Sequence, residues 1–192
     1  MMIKSSNGFA LRRLKYSDEE FLYESMSDFP VGDMTLMQVR NSMSNMLHLG
    51  KAFNPDKVTS ETHLCTILER EGTPVGFRWN KFERNVAEAV LGGIHPKYRG
   101  QGCQTATSFL HGYWYFDVLK LDSCFLEVVN TDNVNNAATK WRSITKAKEP
   151  KRKSRLDEKI VLSKITITPE HLEQRRSEHP IYKNVEYTYD LL

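Results

Sequence analysis

The pattern of apolar runs and polar turns predicts that the middle of the chain forms strands. Apolar residues recur over residues 63–69, 75–82 and 86–94, and short polar turns separate the three runs. Such runs bounded by turn residues are typical of antiparallel strands joined by tight connections. The pattern therefore predicts a three-stranded meander. Four further apolar runs predict strands at residues 9–14, 123–129, 160–167 and 185–191.

Five segments between these strands are predicted to be helices. The assignment rests on three- and four-residue spacing of apolar side chains, on capping residues and on flanking Gly or Pro. The segments cover residues 17–26, 34–47, 104–119, 133–143 and 169–178. The predicted order is one strand, two helices, three antiparallel strands, a helix, a strand and a helix. Two closing strands with a short helix between them complete the chain.

The junction between the meander and the long helix carries the strongest candidate chemistry. Residues 99–104 read Arg-Gly-Gln-Gly-Cys-Gln. Two glycines let the backbone approach a ligand closely, and the start of a helix offers unpaired N–H groups to an anion. The sequence spells neither a Walker A loop nor a dinucleotide-binding G-x-G-x-x-G motif. We expect this turn to bind a pyrophosphate; the alternative is a plain strand-to-helix connection.

The same six residues resemble the acetyl-CoA signature of the GNAT N-acetyltransferase superfamily, Q/R-x-x-G-x-G/A, which also follows a hydrophobic strand. Gln104 departs from it, since Gly or Ala is usual there. The resemblance implies one α/β (α+β) domain over residues 1–192 with the GNAT fold. That fold is a mixed, mostly antiparallel sheet of six or seven strands, flanked by helices and splayed at the acetyl-CoA site. Its last two strands pair as a hairpin, so the resemblance implies that the two closing strands here do the same, with the helix at residues 169–178 inserted between them. Acetyl-CoA is the implied cofactor.

In that family the pantetheine arm inserts between the strand before the turn and the strand after its helix, here residues 90–94 and 125–129. A second signature, N-x-x-A/S, is matched by Asn135 and Ala138, although Arg142 stands where the family has a tyrosine acid. Turn and cap chemistry explains these asparagines equally well. The resemblance implies these cofactor-binding residues: Gly93, Ile94, Arg99, Gly100, Gln101, Gly102, Cys103, Gln104, Thr105, Asn130 and Asn135.

Acetyl transfer to an amine needs a base, a polarised thioester carbonyl and a proton for the departing thiolate. The family resemblance implies that a backbone N–H of residues 91–94 faces the thioester oxygen. Glu88 and Glu83 are the candidate bases, and a solvated strand residue is the alternative for each. Tyr98 is a candidate acid, although it does not occupy the family position, and water could reprotonate the thiol instead.

The composition is that of one globular domain. The chain has 192 residues, of which 40% are hydrophobic and 27% are charged, and a single core of this size is common. No apolar run is long enough to cross a membrane, and no secretory signal is legible, so we expect a cytoplasmic protein. Three cysteines without a paired spacing predict no metal site.

A basic segment at residues 146–155 contains six Lys or Arg residues and one acid. Such clusters neutralise phosphates and bind nucleic acid. The segment lacks the interleaved aromatic residues that stack on single strands, so nucleic acid is the weaker interpretation. A solvated loop and a contact with an acidic or phosphorylated acceptor are the alternatives.

The sequence therefore predicts an N-acetyltransferase that moves an acetyl group from acetyl-CoA to a primary amine. The amine belongs to a small molecule or a protein and attacks the thioester directly in a ternary complex; the enzyme is a monomer or homodimer. The alternative from another class is a catalytically degenerate GNAT-like domain that acts as a binding module, with the basic segment contacting nucleic acid.

Overall fold

The computed structural model of the protein describes residues 1–26, 35–56, 58, 61–129, 151–153 and 161–190. Asn130 and Asn135, the predicted helix at residues 133–143 with Arg142, and most of the basic segment lie outside these residues. The predictions made for them remain predictions.

Nine strands form one sheet in the described part of the chain. They are β1 Met2–Ser5, β2 Phe9–Arg13, β3 Thr62–Arg70, β4 Thr73–Glu83, β5 Val86–Ile94, β6 Ser123–Val129, β7 Lys151–Lys153, β8 Val161–Ile167 and β9 Tyr187–Asp190. Their order across the sheet is β7-β8-β6-β5-β4-β3-β2-β1-β9. Every neighbouring pair is antiparallel except β5 and β6, which are parallel. The sheet is mixed and mostly antiparallel, as predicted.

Helices cover both faces of the sheet. They are α1 Glu19–Met26, α2 Leu36–Gly50, α3 Cys103–Gly112, α4 Pro169–Glu178 and α5 Pro180–Lys183. The start of α2 is set by Thr35, whose Oγ1 accepts a hydrogen bond from Gln38 N at 3.3 Å while Thr35 N donates to Gln38 Oε1 at 2.8 Å. This reciprocal capping box gives hydrogen-bond acceptors to two backbone N–H groups at the start of the helix.

The sheet separates two apolar layers, because successive side chains of a strand point to opposite faces. On one side, called the α1/α2 face, Leu22 of α1 and Met43 of α2 pack in a buried cluster with Phe77 of β4. On the other side, called the α3 face, Phe109 and Trp114 pack with residues that include Phe82 of β4. The site described below lies between these layers.

Two predictions about the strands are wrong. The sheet has nine strands rather than six or seven, because β1 and β7 were not anticipated; both are short, and β7 falls within the basic segment. The two closing strands do not pair as a hairpin. Instead β8 pairs with β6 and β7, and β9 pairs with β1 at the opposite edge of the sheet.

The crossing from β8 to β9 is made by α4 and α5 over the α3 face. Leu172 of α4 is buried against Gly112, and the ring of Tyr182 in α5 stacks on Phe109 with 4.3 Å between centroids. A connection of this length has no tight turn to hold two strands together as a hairpin. Packing on α3 therefore carries the chain to the far edge.

The long helix predicted over residues 104–119 is divided. α3 ends at Gly112, and a π-helical turn, Tyr113–Val118, follows it. In both the α-helix and the π-helical turn, apolar residues recur about every four positions, so the sequence pattern does not distinguish the two. Trp114, Tyr115 and Phe116 of the π-helical turn are buried, and Tyr113 is half-buried.

Candidate functional site

A gap opens in the sheet where β5 and β6 stop pairing. Their parallel ladder has four rungs and ends at Ala89 and Leu126. Beyond that rung β5 remains paired with β4 up to its last residue, and β6 remains paired with β8. The facing edges of residues 90–94 and 127–129 therefore have no strand between them. This V-shaped opening, called the cleft, confirms the predicted splay.

A β-bulge marks the point where the cleft begins. The β4–β5 register pairs Asn80 with Ala89 and Trp79 with Leu91, so Val90 is the extra residue. A bulge bends its strand and increases the local twist. Val90 is 42% exposed although it lies inside a strand of the central sheet. The bend therefore directs the second half of β5 away from β6.

The open end of the cleft leads into the predicted phosphate turn. A short 3₁₀ turn, Pro96–Tyr98, follows β5. Arg99 Nε donates to the carbonyl oxygen of Ile94 at 3.1 Å, and Gln101 Nε2 donates to the carbonyl oxygen of Lys97 at 2.9 Å. These two bonds hold the turn between the end of β5 and the start of α3.

The start of α3 is suited to receive an anion. Gly100 and Gly102 have φ of 76° and 80°, a left-handed conformation that favours glycine. Gly102 is the residue before the helix and has no side chain with which to cap it; its carbonyl accepts from the N–H groups of Thr105 and Ala106, both at 3.0 Å. A Cβ on either glycine would meet nothing within 4 Å. The space beside the turn is therefore open to a ligand.

The next residues of the signature face different ways. Cys103 is buried, and that burial raises the pKa of its thiol, an effect that Arg70 partly offsets. Gln104 is exposed and Thr105 is half-buried. Cys103 is thus a core residue, and Gln104 is the side chain that borders the open space at the helix start.

The three candidate catalytic residues lie at different distances from the closed end of the cleft. Glu88 directly precedes Ala89 in the last rung and is half-buried. Glu83 lies at the hairpin end of β4, with Oε2 at 3.4 Å from Lys81 Nζ. Tyr98 lies in the 3₁₀ turn at the open end. Of the three, Glu88 lies nearest the last rung of the β5–β6 ladder.

Glu88 belongs to a row of polar residues that crosses three strands on the α1/α2 face. Lys81 of β4 lies between Glu88 and His63 in register. Lys81 Nζ is 2.9 Å from an oxygen of Glu61, and the hydrogen bond with that carboxylate raises the pKa of Lys81. Sequence patterns missed this row, because it exists only once the register of three strands is known.

A second polar group lies beneath the cleft on the α3 face. Tyr115 donates a hydrogen bond from its hydroxyl to Asn80 Oδ1, and Asn80 Nδ2 donates to the carbonyl of Leu64 at 3.0 Å. Burial raises the pKa of Tyr115, so its hydroxyl stays protonated. Arg78 of β4 is half-buried beside this group. In the sequence, Gly92 was the one signal of this group, because a glycine inside a strand often marks a place where a ligand or another backbone approaches closely.

Neither a metal centre nor a membrane span is found in the described ranges. Within them no three His, Cys, Asp or Glu side chains are grouped so that they could hold a metal ion. No helix there is both long and apolar enough to cross a bilayer.

Solved structures resemble this architecture closely. A GNAT-family acetyltransferase from Bacillus anthracis superposes with a TM-score of 0.61, covering 88% of this chain and 99% of that one at 18% identity. FdhC, a nucleotide-linked sugar GNAT, gives a TM-score of 0.64 over 95% and 98% of the two chains at 13% identity. The chain has the GNAT fold.

A third GNAT structure carries ligands. Spermidine N-acetyltransferase from Vibrio cholerae, solved with CoA and spermine, has a TM-score of 0.59 and 12% identity, covering 86% of this chain and 98% of that one. No protein-family model matches the sequence, and no curated protein matches it significantly. The GNAT fold predicted from the phosphate turn is thus confirmed by three-dimensional similarity.

Proposed function

We propose that the protein is an N-acetyltransferase that moves an acetyl group from acetyl-CoA to a primary amine by direct attack in a ternary complex. The observation that carries the proposal is the end of the β5–β6 ladder at Ala89 and Leu126, which opens a cleft directly beside the glycine turn. The GNAT fold of the described residues supports it. An unpaired strand edge and an uncapped helix start are the two features that an extended thioester with a pyrophosphate requires.

The donor would bind along the cleft. Its pyrophosphate would receive hydrogen bonds from the N–H groups at the start of α3, beside Gly100 and Gly102. The pantetheine amides would pair with the free edge of β5 at residues 90–94, as an added strand does. An N–H group of residues 91–94 would then face the thioester oxygen and stabilise negative charge on it. The thioester lies at the closed end, because the pyrophosphate occupies the open end.

Glu88 is our candidate for the base. It directly precedes the residue that closes the cleft, and its side chain points to the α1/α2 face because Ala87 belongs to the buried core on the α3 face. A base on this side would take the proton as the amine nitrogen bonds to the carbonyl carbon.

The acceptor would carry a primary amine, and residues on the α1/α2 face would bind the rest of the acceptor molecule and so determine specificity. Structural relatives include a spermidine N-acetyltransferase and a nucleotide-linked sugar GNAT. A polyamine and an amino sugar on a nucleotide are therefore the first acceptors to test, followed by peptide N-termini and lysine. We place the reaction in the cytoplasm, with the protein as a monomer or homodimer.

Release of free CoA thiol from acetyl-CoA in the presence of each acceptor tests the proposal. The expected result is amine-dependent thiol release, with mass spectrometry showing one acetyl group added to the acceptor. Binding of acetyl-CoA without turnover on any amine would favour the degenerate binding module instead. In that case binding of nucleic acid to the protein, compared with a variant whose basic segment 146–155 is neutralised, becomes the deciding measurement.

A further inference from the structure

Arg78 is a cation beside the cleft that has no acid partner among the described residues. Its side chain points to the α3 face, because its neighbours Phe77 and Trp79 pack on the α1/α2 face. It is half-buried. No carboxylate of the described residues lies within 4.0 Å of its guanidinium. A charge in such a place is usually paired, so its environment calls for an anion.

Three ionisable side chains on the α3 face have pKa values that the charge of Arg78 affects. They are His111 of α3, Tyr115 of the π-helical turn and Cys124 of β6. The backbone carbonyl of Arg78 accepts hydrogen bonds from Thr66 Oγ1 and Asn80 Nδ2. Burial lowers the pKa of His111 and raises the pKa of Tyr115 and of Cys124, so each stays uncharged at neutral pH. Arg78 partly offsets the effect of burial on the pKa of Tyr115 and of Cys124.

Gly92 leaves this charge unshielded on the cleft side. Arg78 and Gly92 are partners in the β4–β5 register. A Cβ on Gly92 would lie 3.2 Å from Arg78 Cα, 3.3 Å from Arg78 Cβ and 2.8 Å from the carbonyl oxygen of Phe77. No side chain fits at this position of β5. Gly92 therefore places no side chain between Arg78 and the cleft.

We propose that Arg78 stabilises the thiolate of CoA as it leaves, so that acyl transfer needs no proton-donating acid. The inference rests on the proposed function, which places the thioester at the closed end of the cleft beside this residue. The amine nitrogen forms a bond to the carbonyl carbon, and its surplus proton passes to the base. The C–S bond of the tetrahedral intermediate then breaks, and its electron pair goes to sulfur. Arg78 keeps its protons and acts by charge alone, and the thiolate takes a proton from solvent after it departs.

The thiol of bound CoA reports this charge directly, because a nearby cation favours thiolate and lowers the thiol pKa. Thiolate absorbance is measured against pH for the protein with CoA minus the same protein with desulfo-CoA, which removes the signal of the protein's own cysteines and tyrosines. The variants are Arg78→Lys, Arg78→Met and the control Arg84→Met, an exposed arginine in the β4–β5 hairpin.

We expect the thiol of bound CoA to have a pKa at least about one unit below that of free CoA. Arg78→Lys retains most of this difference, Arg78→Met abolishes it, and Arg84→Met leaves it unchanged. With acetyl-CoA, Arg78→Met lowers kcat at least about tenfold while KM for the donor changes little.

Equal pKa values for free and wild-type-bound CoA would overturn the role of Arg78 and leave the transferase intact. This outcome needs no variant, so it stands even where Arg78→Met fails to fold. A lowered pKa that persists in a folded Arg78→Met protein would also overturn it. Failure of the wild type to bind CoA at all would instead overturn the proposed function, and calorimetry separates that result from the others.

Discussion

Thr66 on β3 and His111 on α3 are joined by a buried hydrogen bond of 2.9 Å between Oγ1 and Nε2. His111 Nδ1 lies 2.9 Å from the carbonyl oxygen of Thr107. A carbonyl only accepts, so Nδ1 carries the proton and Nε2 of the neutral ring accepts from the Thr66 hydroxyl. The bond ties the sheet to α3, and with His111 uncharged the Thr66 hydroxyl is its donor.

This arrangement predicts a stability that falls in mild acid. Burial holds the pKa of His111 well below its usual 6.5. Below about pH 6.5 the unfolded chain therefore binds a proton on His111, whereas the folded protein does not. The contribution of neutral His111 to the free energy of unfolding is fully present above that pH and is lost as the pH decreases. The loss is roughly 1 kcal/mol per pH unit.

Urea unfolding of the wild type and of His111→Leu from about pH 7.5 to about pH 5.5 checks this prediction. The variant is less stable at the upper pH by about 1 kcal/mol, because the hydrogen bond between Thr66 and the ring is lost and the Thr66 hydroxyl donates to the carbonyl of Arg78 instead. The free energy of unfolding of the variant decreases less in acid than that of the wild type, because the two proteins have the same ionisable groups apart from His111. Parallel curves for the two proteins would contradict a neutral, buried His111.

A second prediction concerns the buried ion pair between Arg12 of β2 and Asp18. Two guanidinium nitrogens of Arg12 each lie 2.7 Å from a carboxylate oxygen of Asp18, and the side chains are 10% and 4% exposed. Removing one partner leaves the other charge buried, so Asp18→Ala should reduce the free energy of unfolding by about 3 kcal/mol. Glu69 at 2.5 Å from Arg12 Nε keeps the loss from being larger.

The matched control is Glu19→Ala, which removes an ion pair of similar length but greater exposure. Glu19 and Arg40 are 2.7 Å apart, and the Arg40 side chain is 59% exposed. An exposed pair contributes at most about 1 kcal/mol. Equal effects of the two substitutions in urea denaturation would show that burial does not determine the contribution of the Arg12 pair.

A third prediction separates the two candidate bases. Glu88→Gln should lower kcat by about 100-fold or more while leaving the affinity for acetyl-CoA unchanged, because the amide cannot accept the amine proton. Glu83→Gln should leave kcat unchanged, since Glu83 lies at the hairpin end of β4 beside Lys81. Steady-state kinetics on one acceptor and calorimetry with acetyl-CoA measure both quantities. Loss of activity in Glu83→Gln alone would reverse the assignment.

Much of the fold could be predicted because local pattern and final structure agree. The meander predicted at residues 63–69, 75–82 and 86–94 corresponds to β3, β4 and β5 within a few residues. Each strand is a run with recurring apolar residues, and each connection contains its own turn residues. The glycine turn was legible for the same reason, since its chemistry is contained in six consecutive residues.

The parts that sequence reasoning missed depend on partners distant in the chain. The place of β9 beside β1 is determined by the packing of α4 and α5 on α3, which no local pattern encodes. Arg78 resembles an ordinary polar strand residue until its register with Gly92 and the position of Cys124 are known. The bulge at Val90 likewise exists only relative to β4.

Calorimetric titration of acetyl-CoA into the wild type, Gly102→Ala and Gly102→Glu tests the central claim most directly. Both substitutions impose the same backbone strain at a φ of 80°, and neither Cβ meets protein atoms within 4 Å. Only the glutamate adds a charge that repels a pyrophosphate. We predict micromolar binding by the wild type, weaker binding by Gly102→Ala and no measurable binding by Gly102→Glu. Absence of binding by the folded wild type, or equal binding by the two variants, would contradict a CoA site at this turn.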